Sequence, residues 1–141
     1  MSALPHEIDI DIRDEWIDYN GHVSDAAYGV IVALANEALL ETVDLSASYL
    51  ERTGRSLFTA EAHIWYLSEV KRGRVHAVSS VTDLRDKSVR VKTSLFRADG
   101  VEAAKSEHVY VHVDHGAAKA VSFDESARVA LTNLAVDQTA D

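Results

Sequence analysis

"VSDAAYGVIVALANEALLETV", residues 23–43, is the stretch on which the fold turns. Ala27, Val30, Ile31, Leu34, Ala38 and Leu39 fall at helical spacings, while Ala26, Val32, Ala33 and Ala35 leave little polar face along the first half. The pattern predicts a helix of about 18 to 20 residues beginning near Ser24, apolar nearly all round and therefore enclosed on several sides. Glu37 and Glu41 bring its last turns to water, and with Asp25 and Asn36 they argue against a membrane span.

Working outward, "HEIDIDIRDEW" (6–16) alternates Ile8, Ile10 and Ile12 with acids, as a half-buried strand does. After the helix, "DLSASYLERTG" (44–54) reads as a short second helix, with Ser46 as its cap and Gly54 as its terminator. Strands follow. "SLFTAEAHIWYL" (56–67) is aromatic and extended; "RVHAVSSVTDL" (74–84) puts Val75, Ala77, Ser79 and Val81 on one face. "KSVRVKTSLFR" (87–97) does the same with Val89, Val91, Thr93 and Leu95. Asp99-Gly100 marks a hairpin, and "EAAKSEHVYVHVD" (102–114) returns with Val109, Val111 and Val113 expected inward. A terminal helix is expected over 124–134.

Hairpins in succession favour an antiparallel sheet, and a long apolar helix is buried only if that sheet curls round it. The fold class is thus α+β in one domain spanning 1–141, a normal single-domain length. A single curled sheet leaves part of the helix and an edge strand uncovered, so a homo-oligomer is expected.

Composition narrows the function. Hydrophobic residues make up 47% and charged ones 26%, which is globular, and there is no cysteine for disulfide or thiolate chemistry. The opening MSALPHEIDIDIRDE lacks a basic start and apolar run, so a cytoplasmic protein is expected, with no membrane partner. A net charge of −9 disfavours nucleic acid. Basic residues are nonetheless grouped at Lys71, Arg72 and Arg74 and again at Arg85, Lys87, Arg90 and Lys92, room for a local anionic partner.

Just before the helix stands "WIDYNGHVSDAAY", residues 16–28. Gly21 permits a tight turn, and a helix starting near Ser24 leaves the N–H groups of Asp25, Ala26 and Ala27 without helical acceptors. Free donors backed by a helix dipole suit a developing oxyanion, and a carboxylate beside them could attack a carbonyl or deprotonate water. Each residue also has a plainer reading. Asp18 reads equally as a turn acid bonded to its own backbone, Asp25 as favourable helix-start charge, His22 as a cap and Tyr28 as helix packing.

The run Asp18-Tyr19-Asn20-Gly21-His22-Val23-Ser24-Asp25-Ala26-Ala27-Tyr28 resembles the D-x-x-G-H-V-x-N/D-x-x-Y signature of hotdog-fold acyl-CoA thioesterases of the 4-hydroxybenzoyl-CoA thioesterase type. The likeness continues through "ERTGRSLFTAEAHIWYLSEVKRGR" and "HVYVHVD", over about residues 6–114, and is strongest to the betainyl-CoA thioesterases of carnitine breakdown. The resemblance implies a long central helix wrapped by a curved antiparallel sheet, with sites at a homodimer interface and dimers often paired into tetramers. It implies hydrolysis of a small acyl-CoA, CoA being part of the substrate, with no cofactor and no metal.

Asp18 matches the family's catalytic carboxylate, nucleophile or general base, and His22 its motif histidine; the Asp25 N–H, beside Gly21, matches the group polarising the carbonyl. Position 24 is Ser where many relatives carry Asn. A cationic acyl head calls for aromatic faces and negative charge, and Trp16, Tyr19, Tyr28, Phe58, Glu61, Trp65 and Tyr66 are the substrate candidates. Arg72, Arg74, Lys87, Arg90 and Lys92 are the candidates for CoA, with a solvated sheet face as the plainer reading. His108 and His112 share a strand face with Tyr110 and are expected as exposed sheet residues, about 13 Å apart and too far for a shared metal. Another short or aromatic acyl-CoA as substrate, or a non-catalytic acyl-CoA-binding hotdog protein, is the alternative.

Overall fold

The computed structural model describes residues 5–135. Strand β1 (His6–Asp11) leads through a short 3-10 turn (Asp14–Trp16) to α1 (Asp25–Thr42), then α2 (Ala47–Thr53). Strands β2 (Arg55–Tyr66), β3 (Arg74–Leu84), β4 (Ser88–Arg97) and β5 (Glu102–Asp114) follow, then the two-residue β6 (Lys119–Ala120) and α3 (Glu125–Thr132). Every pairing between the named strands is antiparallel, in the order β1-β3-β4-β5-β2 with β6 on the end of β5. The curled sheet holds α1 against β1, β3 and β4. This is the hotdog architecture that the motif implied.

The helix is 18 residues long and starts where the pattern put it. Ser24 has extended backbone and its Oγ accepts from the Ala27 N–H at 3.3 Å, satisfying one of the donors a helix start leaves open. One side of α1 is buried: Ala27, Ile31, Val32, Ala35, Asn36, Leu39 and Leu40. In the single chain the sheet covers one flank of the helix and leaves part of it open, as expected of one curled sheet. Val30 and Leu34 remain 47% and 39% exposed.

Three expectations are corrected. The extended segment β2 is not hairpin-paired with β3; it forms the far edge beside β5, and the chain crosses back from it to β3 next to β1. Ser46 occupies the cap position of α2 but makes no side-chain cap bond, the local hydroxyl bond being Ser48 Oγ to Asp44 Oδ1. Gly54 does end α2, at φ 71°, a backbone setting that costs glycine nothing.

The third correction concerns β5, whose valines do not face inward. Val89 and Val91 of β4 are buried and lie opposite Tyr110 and His108, and opposed residues share a face. That register turns Ser106, His108, Tyr110 and His112 into the core, where partners await Tyr110 and His112, while Ser106 Oγ and His108 Nδ1 find none among the described residues. Asn36 Nδ2 donates to Tyr110 Oη at 2.9 Å, Thr93 Oγ1 donates to Asn36 Oδ1 at 2.7 Å, and the Ser79 hydroxyl completes the chain at 2.8 Å. His112 has Tyr49 Oη at 2.8 Å from Nε2 and the Val121 carbonyl at 3.0 Å from Nδ1. The carbonyl only accepts, so Nδ1 carries the hydrogen and Tyr49 donates.

Candidate functional site

Residues 16–25 fold as a miniature hairpin running into a helix. Ile17 bridges Val23 antiparallel, the Asp18 N–H donates to the His22 carbonyl at 2.9 Å, and the Gly21 N–H returns to the Asp18 carbonyl at 3.0 Å. Gly21 sits at φ 80°, so the turn needs the residue the sequence supplies. The Ser24 N–H closes it on the Trp16 carbonyl at 2.9 Å, and the Val23 N–H anchors it from outside on the Val70 carbonyl at 2.7 Å.

Since Ile17 and Val23 are paired, Asp18 and His22 are the next pair and share one face of the turn, opposite the buried Val23. Asp18 Oδ1 accepts from the Asn20 N–H at 2.8 Å; Oδ2 meets no donor among the described residues. His22 Nε2 lies 3.0 Å from Glu69 Oε2. The Asp25 N–H, first of α1, has no acceptor among the described residues, whereas the Ala26 N–H is taken by Asp25 Oδ1 at 2.8 Å. Chemically, a half-free carboxylate and an open helix-start donor occur within one short turn.

Tyr28 and Tyr66 flank this donor. Their rings meet edge to face at 5.2 Å, Tyr28 Oη donates to the Ser68 carbonyl at 3.3 Å, and Tyr66 Oη reaches the Asp25 carbonyl at 3.5 Å. Burial pushes the Tyr28 hydroxyl above its ordinary range, keeping it a donor. Trp16 is buried beneath Arg13 as part of the core, and Tyr19 is 97% exposed at the turn tip.

The other substrate candidates lie elsewhere. Cross-strand pairing puts Tyr66 on the face of β2 that looks toward α1, and Trp65 with Lys105 on the opposite face. There Trp65 stacks near His63, Glu61 lies 3.8 Å from His63 Nε2, and Phe58 meets His115 edge-on. Within one chain Phe58, Glu61 and Trp65 are thus not brought to the turn.

The five basic candidates separate too. Arg72 pairs with Asp14, and Arg74 with Asp11 at 2.9 Å, close to the turn. Lys87 sits in the β3–β4 turn, at the far end of the sheet, and Arg90 and Lys92 follow on the outer face of β4, Arg90 bound to Glu107 at 3.2 Å. Near the turn is a groove of about 350 Å³ lined by Lys71, Arg72, Arg74 and Arg97 together with Glu69 and Asp99. Arg97 grips Asp99 at 2.5 Å, holding that carboxyl down to about 2, and donates to the Glu69 carbonyl at 3.2 Å. Glu69 and Arg97 escaped the sequence reading because the crossover from β2 to β3 brings the one, and the pairing of β4 with β3 the other, beside the turn. Lys71 was at least visible in its basic run.

Among the described residues no group of three His, Cys, Asp or Glu could hold a metal, and no single helix is long and apolar enough to cross a membrane.

The family model of the thioesterase-like superfamily matches residues 12–131. The chain belongs to that superfamily. That membership agrees with the resemblance read from the turn motif. It is 31% identical over 126 residues to the betainyl-CoA thioesterase of Pseudomonas aeruginosa, covering 88% of this chain and 79% of that protein. It is 35% identical over 124 residues to an L-carnitine dehydrogenase/betainyl-CoA thioesterase of Agrobacterium fabrum, covering 87% of this chain but only 25% of that longer protein. In fold it matches a Staphylococcus aureus protein solved in complex with CoA, with a TM-score of 0.90, 24% identity, and coverage of 95% of this chain and 85% of that one. A 1,4-dihydroxy-2-naphthoyl-CoA thioesterase from Synechocystis gives 0.83 at 16% identity, covering 92% and 97%.

Proposed function

We propose that the protein hydrolyses betainyl-CoA to betaine and CoA in the cytoplasm, working as a homodimer or a pair of dimers. The observation that carries this reading is the turn that pairs a half-free Asp18 carboxylate with the Asp25 N–H at the head of α1, which meets no acceptor among the described residues. The thioester carbonyl oxygen takes the Asp25 N–H, where the helix dipole stabilises the charge that develops on it. Asp18 Oδ2 removes a proton from the attacking water, or attacks the carbonyl itself and is released by water afterwards. Either route breaks the C–S bond and frees CoA.

The acyl head lies toward Tyr28 and Tyr66. A quaternary ammonium donates no hydrogen bond, so ring faces and nearby carboxylates are what can hold it. The phosphates of CoA lie over Lys71, Arg72, Arg74 and Arg97 at the edge of the 350 Å³ groove. Lys87, Arg90 and Lys92 could serve only a site to which another subunit brings them. Support for an oligomer comes from β2, an exposed edge strand, and from Val30 and Leu34 on the uncovered side of α1.

A thiol-release assay over betainyl-, acetyl-, short-chain and aromatic acyl-CoA tests the reading. Betainyl-CoA is expected to give the highest kcat/KM. Equal turnover of neutral and cationic substrates removes the betainyl assignment, and no turnover of any by the folded oligomer removes the enzyme.

A further inference from the structure

Glu69 was singled out for no role in the sequence, yet its carboxylate reaches His22 Nε2 at 3.0 Å. The loop that carries it is fastened from three directions: Val70 accepts from Val23, Ser68 from Tyr28 and Glu69 itself from Arg97. A residue so held can fix the side chain it touches. A carboxylate only accepts, so in a neutral imidazole the hydrogen sits on Nε2 and the lone pair on Nδ1. Asp18 is the cross-strand neighbour of His22 on the same face of the turn, and such pairs have Cβ atoms roughly 4.5–5.5 Å apart.

We infer that Glu69 is a positioning residue: it holds His22 in the tautomer and orientation that let Nδ1 carry a proton from Asp18 to the departing sulfur. The inference rests on the hydrolysis proposed above, along its general-base route. Asp18 takes a proton from water as the water oxygen bonds to the thioester carbon. His22 Nδ1 takes that proton from Asp18. The C–S bond then breaks and the thiolate receives the proton from Nδ1, so acid and thiol leave and both side chains return to their starting states. Thiols ionise near 8.5, so at neutral pH the departing thiolate ends as a thiol, and in this scheme Nδ1 supplies its proton.

The test compares Glu69→Leu, Glu69→Gln and Glu69→Asp, all in the intact protein, with His22→Gln and the His22→Gln/Glu69→Leu double variant. Glu69 is half-exposed, so the fold should survive, and Glu69→Gln keeps the shape if Glu69→Leu does not. The expected result with betainyl-CoA is a 10- to 100-fold fall in kcat for Glu69→Leu, KM within about twofold, partial return in Glu69→Asp, and no further loss in the double variant. With the 4-nitrothiophenyl thioester of the same acid, whose leaving group needs no proton, the loss should shrink to about threefold. Equal losses on both thioesters, additive losses in the double variant, or wild-type kcat in Glu69→Leu would overturn the inference. Imidazole ¹⁵N shifts of His22 separate this from failure of the hydrolysis reading. The Nε2–H form should dominate in wild type and give way to a mixture in Glu69→Leu whatever substrate the protein takes, and unchanged shifts would refute the positioning itself.

Discussion

At the start of α1 the Asp25 N–H has no acceptor among the described residues and Asp18 has one carboxylate oxygen to spare, whereas about three turns further on Asn36 is engaged on both sides of its amide. The two regions lie on one helix and differ in access. Asn36, Thr93 and Ser79 are each no more than 1% exposed, and a polar group there must find a protein partner or forfeit the water it gave up. Asp18 and Asp25 touch solvent, so an open donor or acceptor at that end costs little until a ligand covers it. Satisfied polar groups in the middle of the helix specify the fold; open ones at its head are available for chemistry.

The widest separation between the two regions should come from Asp18→Asn. The amide oxygen still accepts from Asn20 N–H, so the turn survives, but neither base nor nucleophile remains. Turnover should fall by about 100- to 10,000-fold with the melting temperature nearly unchanged. Activity within threefold of wild type would mean the essential carboxylate is another one. Asn36→Leu should do the reverse. It strands the Tyr110 hydroxyl and takes the acceptor from Thr93, costing roughly 2–4 kcal/mol of stability while the folded fraction keeps its kcat. Urea denaturation and active-site-normalised kinetics on the same sample read both quantities, and a stable but inactive Asn36→Leu would erase the distinction.

Most of the architecture was legible because it depends on local pattern. The helix, β3 and β5 came out of residue spacing with boundaries within a residue or two of those observed. The motif gave the turn. What failed was long-range. In β5 both alternating sets, valines and polar residues, can face a core, and the choice falls to the register with β4 and to Asn36 and Tyr49, which lie far off in sequence. Trp65 and Tyr66 are adjacent and equally aromatic, yet one residue of phase sends them to opposite faces of β2. Glu69 reaches the turn through a crossover that no local signal announces, and Arg97 through the pairing of β4 with β3. Grouping Arg72 with Lys92 treated nearness in sequence as nearness in space, and β3 separates them.

A smaller effect tests how far the open head of α1 depends on its cap. Ser24→Ala removes the Oγ bond to Ala27 N–H and should lower stability by about 1 kcal/mol. Because Ser24 N–H still holds the Trp16 carbonyl, the turn keeps its place and kcat should fall by less than Asp18→Asn takes. Loss of activity on the scale of Asp18→Asn would make Ser24 part of the chemistry rather than of the helix start.

The smallest expected effects contrast two histidines on opposite faces of the sheet. On the outer face, His76 lies between Glu7 and Asp9, each 2.8 Å from a ring nitrogen, with Arg74 beside Asp9; the hydrogen bonds to Glu7 and then Asp9 raise its pKa. On the inner face, burial lowers that of His108, whose Nδ1 has no partner among the described residues, with His63 adding a weaker push the same way. A raised pKa adds stability that is fully present below the unfolded value of about 6.5 and is lost as pH climbs through the folded value. A lowered pKa has the opposite sense: its contribution is intact above about 6.5 and declines as pH falls toward the folded value. Between pH 8 and 5, urea midpoints for His76→Gln should therefore drop progressively below wild type as the solution is acidified. Those for His108→Leu should gain on wild type over the same interval. Parallel curves for all three proteins would mean that neither ring changes its protonation balance on folding.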